Sequence, residues 1–330
     1  MGKLINRFSW SPSRDRLYRT CARAYYLNYY GSWGGWERGA PESARLAYRL
    51  KQMTDLPMFA GTVVHDVIKG AIARIRGGQQ VDRDYLLSQA SNQMNRGWRD
   101  SRGEAWRRIG PKRATTLFEH HYVERLSGES VPEAAIRATK SKVEACLDHY
   151  LETEVHAALV ESGGEDVRSY EELTQFEVEG TTVWLAIDLA RDTGSGIEIY
   201  DWKTGRANEA DSRQLCVYGL YASEVWGASA DRIRVHAVYL REGESSVESL
   251  NEDILAATRS EISTSAEGLR ALLADPENNI ARESDFAMAE ETESCRGCRF
   301  QEICHPQGVP GGPRAGYTST RPASPPPSPG

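Results

Sequence analysis

Residues 183–203 read VWLAIDLARDTGSGIEIYDWK and contain two apolar strands that each carry an aspartate. Asp188 lies in the first run, 183–189, and Asp201 lies in the second, 197–203. A carboxylate in an apolar strand costs free energy unless it is paired, hydrogen-bonded or bound to a metal. Because side chains alternate along a strand, Asp201 and Lys203 point to the same side, next to a neighbouring strand that carries Asp188.

Two acids and a lysine in this arrangement suit metal-dependent hydrolysis of a phosphodiester. The carboxylates of Asp188 and Asp201 can hold a divalent cation and leave positions open for water and a phosphate oxygen. Lys203 can orient the water or help to deprotonate it, and it can balance developing negative charge. A plain salt bridge between Lys203 and one aspartate is the alternative that the pattern leaves open.

Three further polar residues are candidates for the same site. Gln214 and Tyr218 lie four residues apart in a predicted helix, 209–226, so they project from one face, where they could also form an ordinary polar rim. His65 lies near the start of a second predicted helix, for which Thr62 is the predicted N-cap. A histidine in this position is either a hydrogen-bonded core residue or a metal ligand.

Three of the six cysteines form a C-x2-C-x5-C pattern: Cys295, Cys298 and Cys304. Thiols at such short spacing are more often metal ligands than core residues. The candidates for a fourth ligand are Cys21, Cys146 and Cys216. Cys21 is favoured, because the other two fit the apolar positions of helices. The spacing does not distinguish zinc from an iron–sulfur cluster.

Composition and charge limit the classes of protein to which the chain can belong. The chain has 330 residues, of which 40% are hydrophobic and 26% charged, as in globular proteins with one large or two ordinary domains. No apolar run approaches the ~18–20 residues of a membrane span, and no signal peptide is visible, so we expect a cytoplasmic protein without a membrane partner. Residues 306–330 are rich in proline and predicted to be a disordered tail.

The net charge of −7 argues against a nucleic-acid partner, but the charge is unevenly distributed. Residues 1–30 contain six basic residues and one acidic residue, and residues 96–113 contain seven and two. Local basic surfaces of this kind suit phosphate contact, although solvated helix faces have the same composition. An aromatic cluster from Tyr25 to Trp36 could stack bases beside the N-terminal arginines or pack in the core.

The predicted elements describe a mixed α/β chain. Helical patterns dominate 60–160, and the region 170–275 has strands at 173–179, 182–190, 197–203 and 232–240 with helices at 209–226 and 252–273. This order of elements predicts a mixed sheet covered by helices.

Taken together, the motifs resemble those of the RecB-like branch of the PD-(D/E)XK nuclease superfamily. More closely, they resemble its iron–sulfur members, which are the CRISPR-associated exonuclease family and the nuclease domain found in helicase–nuclease complexes. The resemblance spans about residues 9 to 304. It rests on motifs in a common order: Cys21, G-x-x-x-H at 61–65, Asp188, Asp201-Trp202-Lys203, Q-x-x-x-Y at 214–218, and the three C-terminal cysteines.

The resemblance implies a fold, a reaction and a set of roles. The fold would be a restriction-endonuclease-like core with a mixed central sheet, within one nuclease domain, 1–305, whose ends are joined by an iron–sulfur clamp at 21 and 295–304. Mg²⁺ or Mn²⁺ would be held by His65, Asp188, Asp201 and the carbonyl of Trp202. Lys203 would be catalytic together with the two aspartates, and Gln214 and Tyr218 would support the lysine or touch DNA. Cys21, Cys295, Cys298 and Cys304 would hold a structural [4Fe–4S] cluster.

The implied activity is hydrolysis of single-stranded DNA or DNA ends in repair or defence, with a helicase, an integrase or another repair or defence protein as partner. Two other functions stay open. The chain could be a non-catalytic module that binds DNA ends and recruits such a partner, or a zinc-stabilised interaction protein.

Overall fold

A computed structural model of the chain describes residues 4–313. Its helices are α1 (Pro12–Thr20), α2 (Ala22–Tyr26), α3 (Glu42–Lys51), α4 (Leu56–Arg76), α5 (Arg83–Arg102), α6 (Trp106–Ile109), α7 (Glu133–Glu152), α8 (Glu154–Ser162), α9 (Glu209–Trp226), α10 (Glu252–Ala271), α11 (Glu293–Arg296) and α12 (Gln301–Cys304). Two π-helical segments, Leu27–Gly31 and Glu119–Leu126, and two 3₁₀ turns, Ala230–Arg232 and Glu283–Asp285, complete the helical part. The strands are β1 (Val167–Ser169), β2 (Glu172–Val178), β3 (Thr181–Ile187), β4 (Leu189–Thr193), β5 (Gly196–Lys203), β6 (Ile233–Tyr239) and β7 (Glu244–Ser249).

The strands form a five-stranded mixed sheet and a separate hairpin. The sheet has the order β1-β4-β5-β6-β7, in which β5 and β6 are parallel and the other pairs are antiparallel. The hairpin consists of β2 and β3. The predicted mixed α/β fold is confirmed at this level. The single strand predicted at 182–190 is wrong, because the chain leaves the hairpin at Asp188 and enters the other sheet as β4.

The central strand β5 separates two hydrophobic layers. Ile197 and Ile199 pack with α9 and α10 on one face, whereas Tyr200 and Trp202 pack with α4 and α7 on the other. Because side chains alternate along β5, Asp201 belongs to the α9 face. The carboxyl end of β5 therefore presents its acid and its lysine toward α9, and its Trp202 backbone toward α4.

The long helix α4 lies at the centre of the helical layer. It begins at Leu56, and its N-cap is Asp55, whose Oδ1 accepts a hydrogen bond from the Met58 amide (2.8 Å). The predicted cap at Thr62 is wrong, because the buried face already begins at Leu56, before Thr62 is reached. By length and composition alone α4 is the helix of the described chain that could cross a membrane, but its apolar face packs in the core.

The two ends of the described chain meet. The amide of Arg23 donates to the carbonyl of Ala287 (2.9 Å), and its Nε donates to the carbonyl of Phe286 (2.8 Å). Of the predicted tail, 306–313 is described: Val309 is buried, and the carbonyl of Gly312 accepts from Arg296 Nε (3.0 Å). The rest of that prediction, 314–330, lies outside the described residues.

Candidate functional site

Asp188 lies at the junction between the hairpin and the sheet. It follows β3 and precedes β4, so it continues the register of both antiparallel pairs. Extended by one residue pair, the β2–β3 register sets Glu171 opposite Asp188, and the β4–β5 register sets Asp201 opposite it. Opposed residues of antiparallel strands lie about 4.5–5.5 Å apart at Cα. The fold therefore brings three acids to one place, and Asp188 Oδ2 accepts a hydrogen bond from the Trp202 amide (2.7 Å).

His65 reaches the same place from α4. Its Nε2 lies 3.0 Å from the carbonyl oxygen of Trp202, and its Nδ1 lies 3.1 Å from Glu171 Oε1 and 3.4 Å from Asp188 Oδ1. Gly61, one turn earlier, faces the end of β5, where an added Cβ would lie 3.1 Å from Thr204 Oγ1. The glycine thus permits the close approach of α4 that brings the imidazole to the strand end.

His65, Glu171 and Asp188 form a possible metal site. Their ligand atoms all lie within 4.8 Å of one another. Burial lowers the pKa of His65, but the neighbouring carboxylates of Asp188 and Glu171 outweigh burial and raise the pKa well above its ordinary value. Two carboxylates and a carbonyl around one imidazole thus favour a positive charge at this point.

Asp201 and Lys203 form the second half of the site, on the α9 side of β5. Lys203 Nζ lies 2.5 Å from Asp201 Oδ2, as the strand alternation predicts, and it donates to Gln214 Oε1 (3.0 Å). Gln214 Nε2 donates to Asp201 Oδ1 (3.1 Å) and to the hydroxyl of Tyr218, which also lies 3.4 Å from Asp201 Oδ1. Both polar residues of α9 therefore contact the acid of β5.

The protonation states follow from burial and charge. Burial and the nearby Asp188 carboxylate raise the pKa of Asp201 to about 7, despite the opposing effect of Lys203. Burial lowers the pKa of Lys203, but Asp201 and Asp211 outweigh it, and the net shift is upward. Burial and Asp201 also raise the pKa of Tyr218. Lys203 is therefore an ammonium and Tyr218 a neutral phenol near neutral pH.

Two acidic residues of the site were missed by sequence reasoning. Glu171 could have been found from the hairpin. Counting back from Asp188 across the turn at Gly180 gives Glu171 as the residue opposite it. Asp211 lies one helical turn before Gln214, and its Oδ1 is 3.5 Å from Lys203 Nζ. Helical spacing of three residues could have placed it on the same face.

The structure brings the four predicted cysteine ligands into one region. Cys21, Cys298 and Cys304 pack on one hydrophobic cluster with Phe118, Tyr122 and Phe300, and Cys295 is close enough to affect the pKa of Cys298 and Cys304. Burial and the neighbouring thiols raise the pKa of Cys298 to about 11 and that of Cys304 to about 12. Cys146 is buried in the core, as expected, whereas Cys216 lies on α9 and is only half-buried at the edge of the core.

Comparison with known proteins supplies the family. Residues 9–305 match the model of the PD-(D/E)XK nuclease superfamily. The chain belongs to the PD-(D/E)XK nuclease superfamily. None of the curated proteins compared with the chain matches it. Members of this superfamily are generally nucleases that use Mg²⁺ or Mn²⁺, so DNA is the implied substrate.

Within this PD-(D/E)XK chain, the predicted site residues fall into two adjoining groups. His65, Asp188 and the Trp202 carbonyl lie on the α4 side together with Glu171. Asp201 lies beside them but pairs with Lys203, Gln214 and Tyr218. Asp201 is therefore placed between the possible metal site and the lysine.

Proposed function

We propose that the chain is a metal-dependent deoxyribonuclease of the RecB-like, iron–sulfur type, acting on single-stranded DNA or DNA ends. The observation that carries this proposal is the junction at Asp188, where His65, Glu171 and the Trp202 carbonyl converge beside the Asp201–Lys203 pair. A salt bridge alone would explain the pair, but it would not explain why two further carboxylates, a carbonyl and an imidazole lie next to it.

The donor set fits a hard divalent cation. Mg²⁺ and Mn²⁺ favour carboxylate and carbonyl oxygens, which Glu171, Asp188 and Trp202 offer. Asp201 adds a buried carboxylate, and a cation bound to its Oδ2 would share that oxygen with Lys203. When bound, such a cation supplies Lewis acidity and a more acidic water. His65 would have to lose its proton to become a ligand, because only the neutral imidazole nitrogen coordinates a metal.

The residues on the α9 side of β5 hold the charged groups of Lys203 and Asp201 in place. Lys203 stays protonated, so we assign it to charge balance on the phosphate and to orientation of the attacking water rather than to proton abstraction. Gln214 is a positioning residue, since its two amide atoms hold Lys203 and Asp201 at once. Tyr218, buried beneath it, supports the amide and the acid.

A cavity of about 630 Å³ opens beside this site and offers room for part of a DNA strand. Gln214 and Tyr218 line it on one side, and Trp184 lines it from β3. Trp184 and Asp188 are four residues apart along the strand direction and so share a face. Its charged lining is mixed: Arg19 and Arg213 pair with Asp15 and Glu261, and Arg16 adds one further positive charge.

For the cysteines we propose a [4Fe–4S] cluster with a structural role. A thiol with a raised pKa becomes a thiolate ligand only when a cation compensates its charge. The backbone amides of Ala24 and Phe300 already donate to Cys21 Sγ (3.5 Å) and Cys298 Sγ (3.4 Å). Four thiols in one region suit either such a cluster or a tetrahedral zinc site, and metal analysis of the purified protein distinguishes the two.

The proposal is tested with anaerobically purified protein and end-labelled single- and double-stranded DNA in the presence of Mn²⁺. We expect Lys203→Ala and Asp201→Ala to lower cleavage at least ~100-fold while DNA binding is retained. Asp192→Asn, on β4 but paired with the exposed Arg168, is the matched control and should cleave normally.

Persistent cleavage by Lys203→Ala would contradict the site assignment. Wild-type protein that binds DNA ends but forms no product with Mn²⁺ would indicate the non-catalytic binding module instead. We further propose a cytoplasmic location, repair or defence as the setting, and a helicase or integrase as partner. Within the described residues, none of the six cysteines forms a disulfide.

A further inference from the structure

A second cavity lies away from the Asp188 site, between α3 and the segment 106–113. Its volume is about 930 Å³, and we call it the tryptophan groove. Trp36 and Tyr48 line it from the α3 side, and Trp106 and Lys112 line it from the other side. None of the proposed catalytic residues borders it.

Exposed aromatic rings are the first unusual feature of this groove. Trp36 is 40% exposed, and its ring lies 5.1 Å from that of Trp33, itself 37% exposed, and 5.5 Å from that of Tyr48. Two guanidinium groups lie over the ring of Trp106, that of Arg49 at 4.9 Å and that of Arg107 at 4.5 Å from the centroid. Clustered large rings at a polar surface indicate a binding site rather than core packing.

Positive charge is the second feature. The lining contains six basic residues and three acidic ones, in a chain whose net charge is −7. Arg49 and Arg107 are held by Glu302 (3.3 Å) and Glu104 (3.0 Å). The other four form no salt bridge within residues 4–313: Arg38, Arg45, Lys112 and Arg113. The basic surface continues past Arg107 into a third cavity, of about 570 Å³, which Arg96, Arg99 and Arg108 also line.

We propose that the tryptophan groove is a second binding surface for single-stranded DNA, separate from the Asp188 site. Exposed rings stack on the open faces of unpaired bases, and unpaired cations contact the phosphates between them. A duplex hides its base faces, and the acidic side chains of a peptide offer no flat ring to stack on Trp36. The choice of DNA over RNA rests on the proposed function.

The groove is connected to the catalytic region through α4. Segment 106–113 leads to Leu117, which pairs with Thr54 immediately before α4. From Leu56 to His65 the helix rises about 14 Å. A strand held in the groove is thus anchored at one end of the helix that carries His65.

The test measures fluorescence anisotropy of a labelled oligothymidylate in EDTA, where metal-dependent cleavage cannot interfere. Trp36→Ala should weaken binding about tenfold. The double variant Arg45→Gln/Lys112→Gln should reduce the slope of log affinity against log salt by about 1.4. Arg137→Gln/Lys140→Gln, the same charge change on the exposed face of α7, should leave both quantities unchanged.

Further probes separate stacking from charge. An abasic oligomer should bind wild-type protein no better than oligothymidylate binds Trp36→Ala. Equal binding of polyglutamate, or unchanged affinity and salt slope in both groove variants, would overturn the inference. Thermal unfolding of each variant checks the fold, and the charge variant keeps the test decisive should Trp36→Ala not fold.

The groove inference and the nuclease proposal can fail independently of each other. If Asp201→Ala abolishes cleavage but the groove variants bind normally, only the groove inference fails. If binding depends on the groove but wild-type protein forms no product with Mn²⁺, only the nuclease proposal fails.

Discussion

A single residue, Asp188, connects the parts of the site. It ends one β-ladder and begins another, so its carboxylate is close to Glu171 of the hairpin and to Asp201 of the sheet. Its Oδ2 accepts from the Trp202 amide, which leaves Oδ1 toward His65. The cost of burying this acid is offset by the hydrogen bond and by the positive charge of the imidazole.

Replacement of Glu171 tests its role as a ligand. We expect Glu171→Gln to raise the Mn²⁺ concentration needed for half-maximal cleavage by about tenfold or more, because a neutral amide replaces a carboxylate at the cation. The measurement is a Mn²⁺ titration of initial cleavage rates.

Glu172 provides the matched control, since it is adjacent in sequence and exposed. Glu172→Gln should titrate like the wild type. An equal shift in both variants would mean that the effect comes from surface charge and not from coordination.

At the scale of elements, the helical layer contributes buried polar groups as well as apolar ones. In the π-helical segment Glu119–Leu126, His120 is buried, with its Nδ1 2.8 Å from Ser101 Oγ and its ring edge-on to Trp98. Its Nε2 has no hydrogen-bond partner among the described residues. Burial lowers the pKa of His120 to about 4.

His120 should therefore make the fold sensitive to acid. The unfolded chain binds this proton below pH ~6.5, whereas the folded chain resists it until about pH 4. His120 leaves the free energy of unfolding unaffected above pH ~6.5. As the pH drops toward 4, protonation of this histidine in the unfolded chain lowers the free energy of unfolding by up to about 3 kcal/mol.

Urea unfolding between pH 7 and pH 4.5 measures this dependence. His120→Gln should show a shallower loss of unfolding free energy than the wild type over this range. Identical pH slopes for the two proteins would refute the assignment to His120.

At the scale of the whole molecule, contacts between distant segments join the ends. Cys21 belongs to the first helical hairpin and Cys304 to the last helix, yet both pack on the cluster around Phe118 and Phe300. Glu302 connects the same region to the tryptophan groove through Arg49. An iron–sulfur cluster at the cysteines would thus stabilise both the contact between the chain ends and the proposed DNA surface.

Loss of one cysteine tests this connection. Anaerobically purified wild-type protein should contain iron and acid-labile sulfide and absorb visible light. Cys21→Ser should lose all three properties and unfold at a lower temperature, because a three-thiolate site holds the cluster poorly.

Cys216→Ser, outside the cysteine region, should keep iron and colour. If the wild-type protein is colourless and contains stoichiometric zinc, the cysteines hold zinc and not an iron–sulfur cluster. If it contains no metal and is equally stable, both proposals are excluded.

Local periodicity in the sequence was enough to predict part of the site. Alternation along β5 puts Asp201 and Lys203 on one side, the four-residue spacing puts Gln214 and Tyr218 on one helix face, and the helix predicted at 209–226 coincides with α9. Each of these follows from a repeat of two or 3.6 residues, which neighbouring residues specify without help from the rest of the chain.

Which segments meet could be learned only from the folded chain. The break at Asp188, the entry of Glu171 into the metal group and the position of Trp36 beside segment 106–113, rather than beside the N-terminal arginines, arise from contacts between segments far apart in sequence. Such contacts depend on how whole layers pack, since a local pattern specifies which face is buried but not the partner that buries it.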